Sequence, residues 1–241
     1  MPPILLIPGN MCDARLWQPV AERLGAAGHA VCHAPRLDQS SIADMAEVVG
    51  RTITQPTVLV GFSMGAIVAA ELARRSPERV AALGLVAFNA SGDLPERAAV
   101  RPRQQDEVRQ GHLEAIVADE LKPNYLAEAN RGDTELLATV MGMARALGPE
   151  AFIAQSEALR RREDLRPVLA GFGMPVLLAC GSEDQLCPPE WHRRWADAIG
   201  SNAQVIEIAG AGHLLPLEQP RPLADAMVGW LAKEQLCLPV S

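Results

Sequence analysis

Six apolar runs of strand length recur along the chain, at Ile4–Ile7, Ala30–Ala34, Thr57–Val60, Val80–Phe88, Val176–Cys180 and Gln204–Ile208. Longer amphipathic stretches separate them, around Leu16–Ala27, Ile42–Ile53, Met64–Arg75, Glu190–Ile199 and Pro222–Lys233. Short apolar runs alternating with helical periodicity read as βαβ units on a parallel sheet. Near-continuous apolar character within each run predicts strands covered by helices on both faces. The reading is an α/β fold with six parallel strands. Ser41-Ile-Ala-Asp44 reads as a capping box that opens the second helix.

Between Ala90 and Gly173 the alternation stops. The stretch carries no strand pattern, only helical ones interrupted at Pro123, Gly132, Gly148 and Pro149. Leu137, Val140, Met141, Ala144 and Leu147 recur at i, i+3, i+4 spacing and form one apolar stripe, read first as a packing face. A strandless helical block between two strands of a sheet reads as a lid. The expected division is therefore a core of residues 1–89 and 174–241 with a cap at 90–173. A length of 241 residues suits one such domain with an insertion.

The balance of 22 Lys+Arg against 29 Asp+Glu, without a dense basic cluster, argues against nucleic acid as a partner. No uninterrupted apolar run approaches the ~20 residues that cross a bilayer, so no membrane partner is expected. The opening MPPILLIPGN lacks a basic region and does not read as a secretion signal. Cys12, Cys32, Cys180, Cys187 and Cys237 are scattered and read as reduced thiols of a cytoplasmic protein rather than a metal site. With nine aromatic residues (four Trp, four Phe, one Tyr), the core should be aliphatic.

One motif carries chemistry. Gly61-Phe62-Ser63-Met64-Gly65 follows the third strand directly and opens a helix. In a strand–turn–helix context G-x-S-x-G lifts a serine Oγ clear of the sheet, while the two glycines let strand and helix approach. The Met64 N–H, at the helix N-terminus, then faces the place where an oxyanion would form. A serine hydroxyl needs a base. His213 lies in the glycine-rich Ala209-Gly-Ala-Gly-His213 after the last strand, at the sheet edge where open α/β sheets place their sites. His29, His33, His112 and His192 read as surface or packing residues. Asp184, directly after the fifth strand, is the acid that would hold the imidazole, with Glu183 and Asp93 as alternatives; Asp93 also reads as a helix cap. The second oxyanion N–H is expected from the loop after the first strand, at Asn10, with Met11 the next choice.

These residues resemble the α/β-hydrolase superfamily, in particular its small capped carboxylesterase-type members. The resemblance rests on Leu6-Ile-Pro-Gly-Asn-Met-Cys-Asp-Ala-Arg-Leu-Trp17, Gly61-Phe-Ser-Met-Gly65, Pro175-Val-Leu-Leu-Ala-Cys-Gly-Ser-Glu-Asp184 and Gly210-Ala-Gly-His213-Leu-Leu-Pro-Leu-Glu-Gln-Pro220. It implies a serine hydrolase using Ser63, Asp184 and His213 without metal or organic cofactor, acting on a small-molecule ester as a monomer or homodimer. Two departures stand out. Pro8-Gly9 replaces the common His-Gly, and no hairpin precedes Ile4–Ile7, so the sheet should be short and wholly parallel. Same-triad alternatives are thioesterase, enol-lactonase and carbon–carbon bond hydrolase; another class is a small-molecule receptor retaining the hydrolase shell. Met11, Met141 and Leu214 are expected to contact substrate in an aliphatic, methionine-containing pocket. The arginines at 97, 101, 103 and 109 read as a solvated helix face rather than an acid-binding site, because residues 90–173 hold 14 acidic against 11 basic side chains.

Overall fold

The computed structural model describes residues 1–121 and 125–236. Pro123 and Cys237 therefore lie outside the described residues. One parallel sheet has the order β2-β1-β3-β4-β5-β6, with β1 Ile4–Ile7, β2 Val31–His33, β3 Thr57–Phe62, β4 Val80–Val86, β5 Val176–Gly181 and β6 Ala203–Ile208. The six expected strands and their parallel sense are all present, with bounds that differ from the expected ones by at most two residues.

Alternation along β1 sorts the two layers. Leu5 and Ile7 belong to one apolar layer with Met45, Val49, Ile67 and Trp195, from α2 Ile42–Thr52, α3 Met64–Arg75 and α7 Pro189–Ile199. Ile4 and Leu6 belong to the layer on the other face, with Val20, Met227 and Trp230, from α1 Gln18–Ala26 and α9 Pro220–Lys233. Burying both faces of the central strands removes their apolar runs from water, which is the main driving force for the fold. Full cover fails at the edges. Val31, Cys32 and His33 of β2 are half-buried or exposed, as is most of β6, because an edge strand has only one neighbour and its apolar run is short. The core is largely aliphatic, and its largest fully buried rings are Trp17, Trp230, Phe62 and Phe88.

Helix α2 is capped as Ser41 predicts: its Oγ accepts the Asp44 N–H at 3.1 Å. The return bond differs from a capping box, since Ser41 Oγ donates to Asp44 Oδ2 at 2.7 Å instead of the carboxylate reaching the Ser41 N–H.

Between β4 and β5 the described residues are helical: α4 Pro95–Arg109, α5 Leu113–Ala115, a π-turn at Ile116–Leu121, and α6 Thr134–Arg160. The two ends of the insertion meet, with the Leu165 N–H donating to Ala90 O at 2.8 Å. By length and composition α6 is apolar enough to cross a membrane, but it is two helices joined at Gly148 (φ 78°, ψ 178°), with Pro149 starting the second. That conformation is nearly confined to glycine. In the apolar stripe Val140, Ala144 and Leu147 are buried and Leu137 and Met141 partly so. Ala144 and Leu147 pack with Val108, Ile116, Phe152 and Met11, so the insertion docks directly on the loop after β1.

The chain visits β2 on one side of β1 and then returns to place β3 on the other. At such a switch point the two connections diverge and leave a crevice at the carboxyl ends of the strands. The loop after β1 and the turn after β3 border it.

Candidate active site

Ser63 occupies the turn between β3 and α3 with φ 51° and ψ −113°, a left-handed conformation that costs a non-glycine residue on the order of 1–3 kcal/mol. Its neighbours make that turn possible. A Cβ on Gly61 would lie 2.2 Å from Gly65 O, and one on Gly65 would lie 2.4 Å from Ile7 O. Only glycine fits at either position.

The His213 ring bridges the other two expected residues. Its Nε2 lies 3.0 Å from Ser63 Oγ and its Nδ1 lies 2.8 Å from Asp184 Oδ2. Asp184 and His213 are 2% and 5% exposed, so the pair is shielded from water. Burial alone would raise the Asp184 carboxyl. The attraction and hydrogen bond of His213, with the N–H groups of Cys187 and Leu186, outweigh it and hold the group below its ordinary value. Both N–H groups donate to Oδ1, at 2.9 and 2.8 Å, which leaves Oδ2 to the imidazole.

The turn carrying His213 is fixed by residues the motif did not single out. The N–H groups of His213 and Leu214 donate to Tyr125 O at 2.7 and 3.2 Å. The Tyr125 ring stands tilted against the imidazole at 5.6 Å. Glu218 Oε1 accepts the Gly212 N–H at 3.0 Å while Oε2 accepts from Ala127 N and Asn130 Nδ2. A Cβ on Gly212 would come within 2.5 Å of Ala127 N. Insertion and His213 turn are thus clamped together, and a Glu five residues beyond the histidine was the sequence signal.

The other acids and histidines go elsewhere. Glu183 accepts the Glu128 N–H at 2.9 Å. Asp93 neither faces His213 nor caps α4, whose N-cap is Leu94. It is a buried anion between Arg101 and Arg162, at 2.7 and 3.2 Å. His192 is fully buried: Nε2 accepts the Phe88 N–H at 2.9 Å and Nδ1 meets Pro188 O at 3.2 Å. Burial pushes it down to about 4. His29 is buried, whereas His33 and His112 are exposed.

In the first loop, Gln155 of α6 takes up the Met11 N–H at 2.8 Å and the Asn10 Nδ2 at 3.0 Å. The Met11 N–H is therefore committed, and Asn10 borders both spaces that open beside Ser63. Met64, the first residue of α3, has no carbonyl four residues earlier in the helix for its N–H.

Two hollows open from Ser63 and His213. The larger, about 240 Å³, is lined by Arg97, Arg101, Arg162 and Gln104 together with Ile67, Phe152 and Leu159. The smaller, about 30 Å³, is an apolar recess of Met11, Phe62, Val117, Val140 and Leu214. Of the three residues expected to contact substrate, Met11 and Leu214 border the recess, whereas Met141 packs beside Ala144 and Leu147. Met143 is fully buried in the core. The expected aliphatic pocket describes only the recess. The solvated-face reading suits Arg103 and Arg109, 53% and 52% exposed, while Arg97 and Arg101 sit one helical turn apart on the opposite face of α4 and line the larger hollow.

Asp184, Cys187 and His213 bring a carboxylate oxygen, a thiol and a ring nitrogen within 4.8 Å of one another. Burial and the Asp184 charge push the Cys187 thiol well above its ordinary range. A thiolate ligand is disfavoured there, and the arrangement suits proton transfer between Ser63 and His213 with Asp184 holding the imidazole. Burial likewise pushes Cys12 and Cys180 up to about 12.

The sequence model of the alpha/beta hydrolase family matches residues 4–226. The chain belongs to that family. A curated relative, the pimeloyl-[acyl-carrier protein] methyl ester esterase of Edwardsiella ictaluri, is 27% identical over 93% of this chain and 91% of its own length. The biotin biosynthesis bifunctional protein BioHC of Cellvibrio japonicus is 27% identical over 94% of this chain, which spans 47% of that longer protein. Among solved structures, a thermophilic esterase from Thermogutta terrifontis superposes with a TM-score of 0.87 at 28% identity, covering 97% of this chain and 90% of that one. The enol-lactonase of Burkholderia xenovorans shares the fold, with a TM-score of 0.82 at 23% identity over 96% and 92% of the two chains.

Proposed function

We propose that this α/β hydrolase cleaves carboxylic esters of small or medium-sized substrates through an acyl-enzyme on Ser63. The observation that carries the reading is the continuous chain Asp184 Oδ2–His213–Ser63 Oγ, at 2.8 and 3.0 Å. His213 Nε2 takes the proton of Ser63 Oγ as the hydroxyl attacks the ester carbonyl. Asp184 holds the Nδ1–H tautomer and stabilises the imidazolium. The carbonyl oxygen, now an anion, is received by the N–H groups of Asn10 and Met64, of which Met64 opens α3 and adds the positive end of its dipole. The imidazolium returns its proton to the leaving alcohol. Water, deprotonated by the same imidazole, then releases the acid and regenerates Ser63.

An assembled nucleophile and base favour this reading over a receptor. The esterase relatives support an ester over a thioester, a lactone or a carbon–carbon bond. We take residues 90–173 as the cap, the site of action as the cytoplasm and the working unit as a monomer or homodimer. The test pairs a phosphonate probe with hydrolysis of ester, thioester, lactone and β-diketone panels. The expected result is labelling at Ser63, ester turnover above the rest, and loss of both in Ser63→Ala. Labelling at another serine, or appreciable turnover by Ser63→Ala, overturns the assignment.

A further inference from the structure

Three guanidinium groups face the larger hollow, a costly arrangement for a site that handles only neutral esters. Arg162 is nearly buried, with its side chain 5% exposed, and Arg101 is 15% exposed. Buried cations are ordinarily paired one for one. Here a single carboxylate, Asp93, serves both, through Arg101 Nε at 2.7 Å and Arg162 Nη1 at 3.2 Å. The other Arg162 bonds go to neutral carbonyls, Ser91 O at 2.9 Å and Gly92 O at 3.1 Å. Arg97 adds a third positive charge, and it donates a long bond to Leu186 O at 3.3 Å. Glu120 also borders the hollow, but it is matched by Arg103 at 2.5 Å and by Gln104 at 2.9 Å. The wall therefore carries more cation than anion. Burial, with Arg101 and Arg97 nearby, lowers Arg162 to about 10, which leaves it charged at neutral pH.

We propose that Arg97, with Arg101 and Arg162 behind it, selects esters whose larger portion bears a free carboxylate. This rests on the ester-hydrolase reading of Ser63 and names its substrate class. The scissile carbonyl sits at Ser63, the small portion enters the recess of Met11, Val140 and Leu214, and the carboxylate reaches the arginines. A carboxylate is a planar acceptor that a guanidinium fork receives with two parallel bonds. It supplies the anion that the wall lacks. The chemistry is the same whether the carboxylate belongs to the acyl or the alcohol portion.

The experiment compares kcat/KM for half-esters with their neutral diester counterparts. One arm uses monomethyl esters of dicarboxylic acids from succinate to suberate, each against its dimethyl ester. The other uses acetyl esters of hydroxy acids against the same compounds as methyl esters. In at least one arm the charged substrate should be preferred by about tenfold or more, the effect of one charge-assisted hydrogen bond. Arg97→Gln should reduce that ratio several-fold, while Arg109→Gln, on the exposed face of α4, leaves it unchanged. A ratio is insensitive to loss of folded enzyme. Independently, free dicarboxylates should inhibit wild-type turnover of a neutral ester competitively, and less so as salt rises. Neutral esters turned over as well as charged ones in both arms, an unchanged ratio in Arg97→Gln, or no competitive inhibition overturns the selection. Such a result leaves ester hydrolysis standing. Absence of any turnover together with no labelling of Ser63 removes both.

Discussion

Gln155 Oε1 accepts the Met11 N–H at 2.8 Å, joining a helix of the insertion to the loop after β1 across 144 positions of sequence. The same amide donates from Nε2 to Leu37 O at 2.6 Å and accepts Asn10 Nδ2 at 3.0 Å. Gln155 is 1% exposed, so each bond it loses leaves a dry polar group. We read it as a positioning residue that sets where the Asn10 N–H points. Gln155→Leu should cost about 1–3 kcal/mol of stability. It should also lower kcat between roughly tenfold and a hundredfold, the scale of a misplaced or lost oxyanion donor, with a smaller change in KM. Steady-state kinetics beside a thermal melt separate the two effects. Unchanged kcat in a folded variant would detach the loop from catalysis.

Asp184 and Asp93 are both buried acids, and their substitution should fail in different ways. Asp184→Asn keeps two acceptor bonds but presents the wrong partner to His213 Nδ1. A loss of about 10⁴ in kcat with little change in melting temperature is expected, as for other triad acids. Asp93→Asn leaves Arg101 and Arg162 without their shared carboxylate, which should destabilise by about 3–5 kcal/mol. Melting temperature and kcat per folded molecule check both; a larger kcat loss in Asp93→Asn would place the acid after the wrong strand.

How legible the chain was depends on the range over which its signals act. Ser63, its flanking glycines and the strand before them form a local pattern, because the strain at Ser63 and the approach of Gly61 to Gly65 are decided within five residues. Asp184 and His213 were legible because strand ends announce the loops that carry them. The role of Gln155 was not, since nothing in its helix shows that it will meet Met11. The four arginines of α4 looked alike in sequence; only the packing of α4 turns Arg97 and Arg101 inward. The exposure of the edge strand β2 was hidden for a related reason: apolar periodicity does not say how many neighbours a strand will have.

His192 should make stability depend on pH in a window of its own. The unfolded chain takes up a proton on this imidazole near 6.5, but the folded protein does so only at about 4, because the ring is buried and its Nε2 is engaged by Phe88. More protons bound by the unfolded state means that stability rises with pH across this interval. The contribution is whole above pH 6.5 and falls on the order of 3 kcal/mol on descending to pH 4. His29 and His33 are lowered in the same sense by burial, so the comparison must be with His192→Gln. Denaturant midpoints measured between pH 4 and 7 should show a steeper slope in wild type than in that variant. Equal slopes would mean that His192 is protonated in the folded protein.

The small recess beside Ser63 should set a size limit on one side of the ester. It measures about 30 Å³, and since a single water needs roughly 10–15 Å³, it admits a group of about two heavy atoms. Each methylene buried there should raise kcat/KM by roughly fourfold, equivalent to about 0.8 kcal/mol, until the recess is full. Further carbons must displace Val140, Leu214 or Phe62, all nearly buried, and overpacking then costs about 1–3 kcal/mol. For p-nitrophenyl esters, whose bulky alcohol portion fits only the larger hollow, rates should climb from acetate to propionate and fall beyond butyrate. Long-chain triglyceride emulsions should react poorly. Val140→Ala removes two methyl groups from the recess wall and should move the optimum one or two carbons longer. Because the substitution acts on the recess alone, the half-ester preference set by Arg97 should stay where it was. A steady rise through long acyl chains, or activation at a lipid interface, would show a site open on both sides.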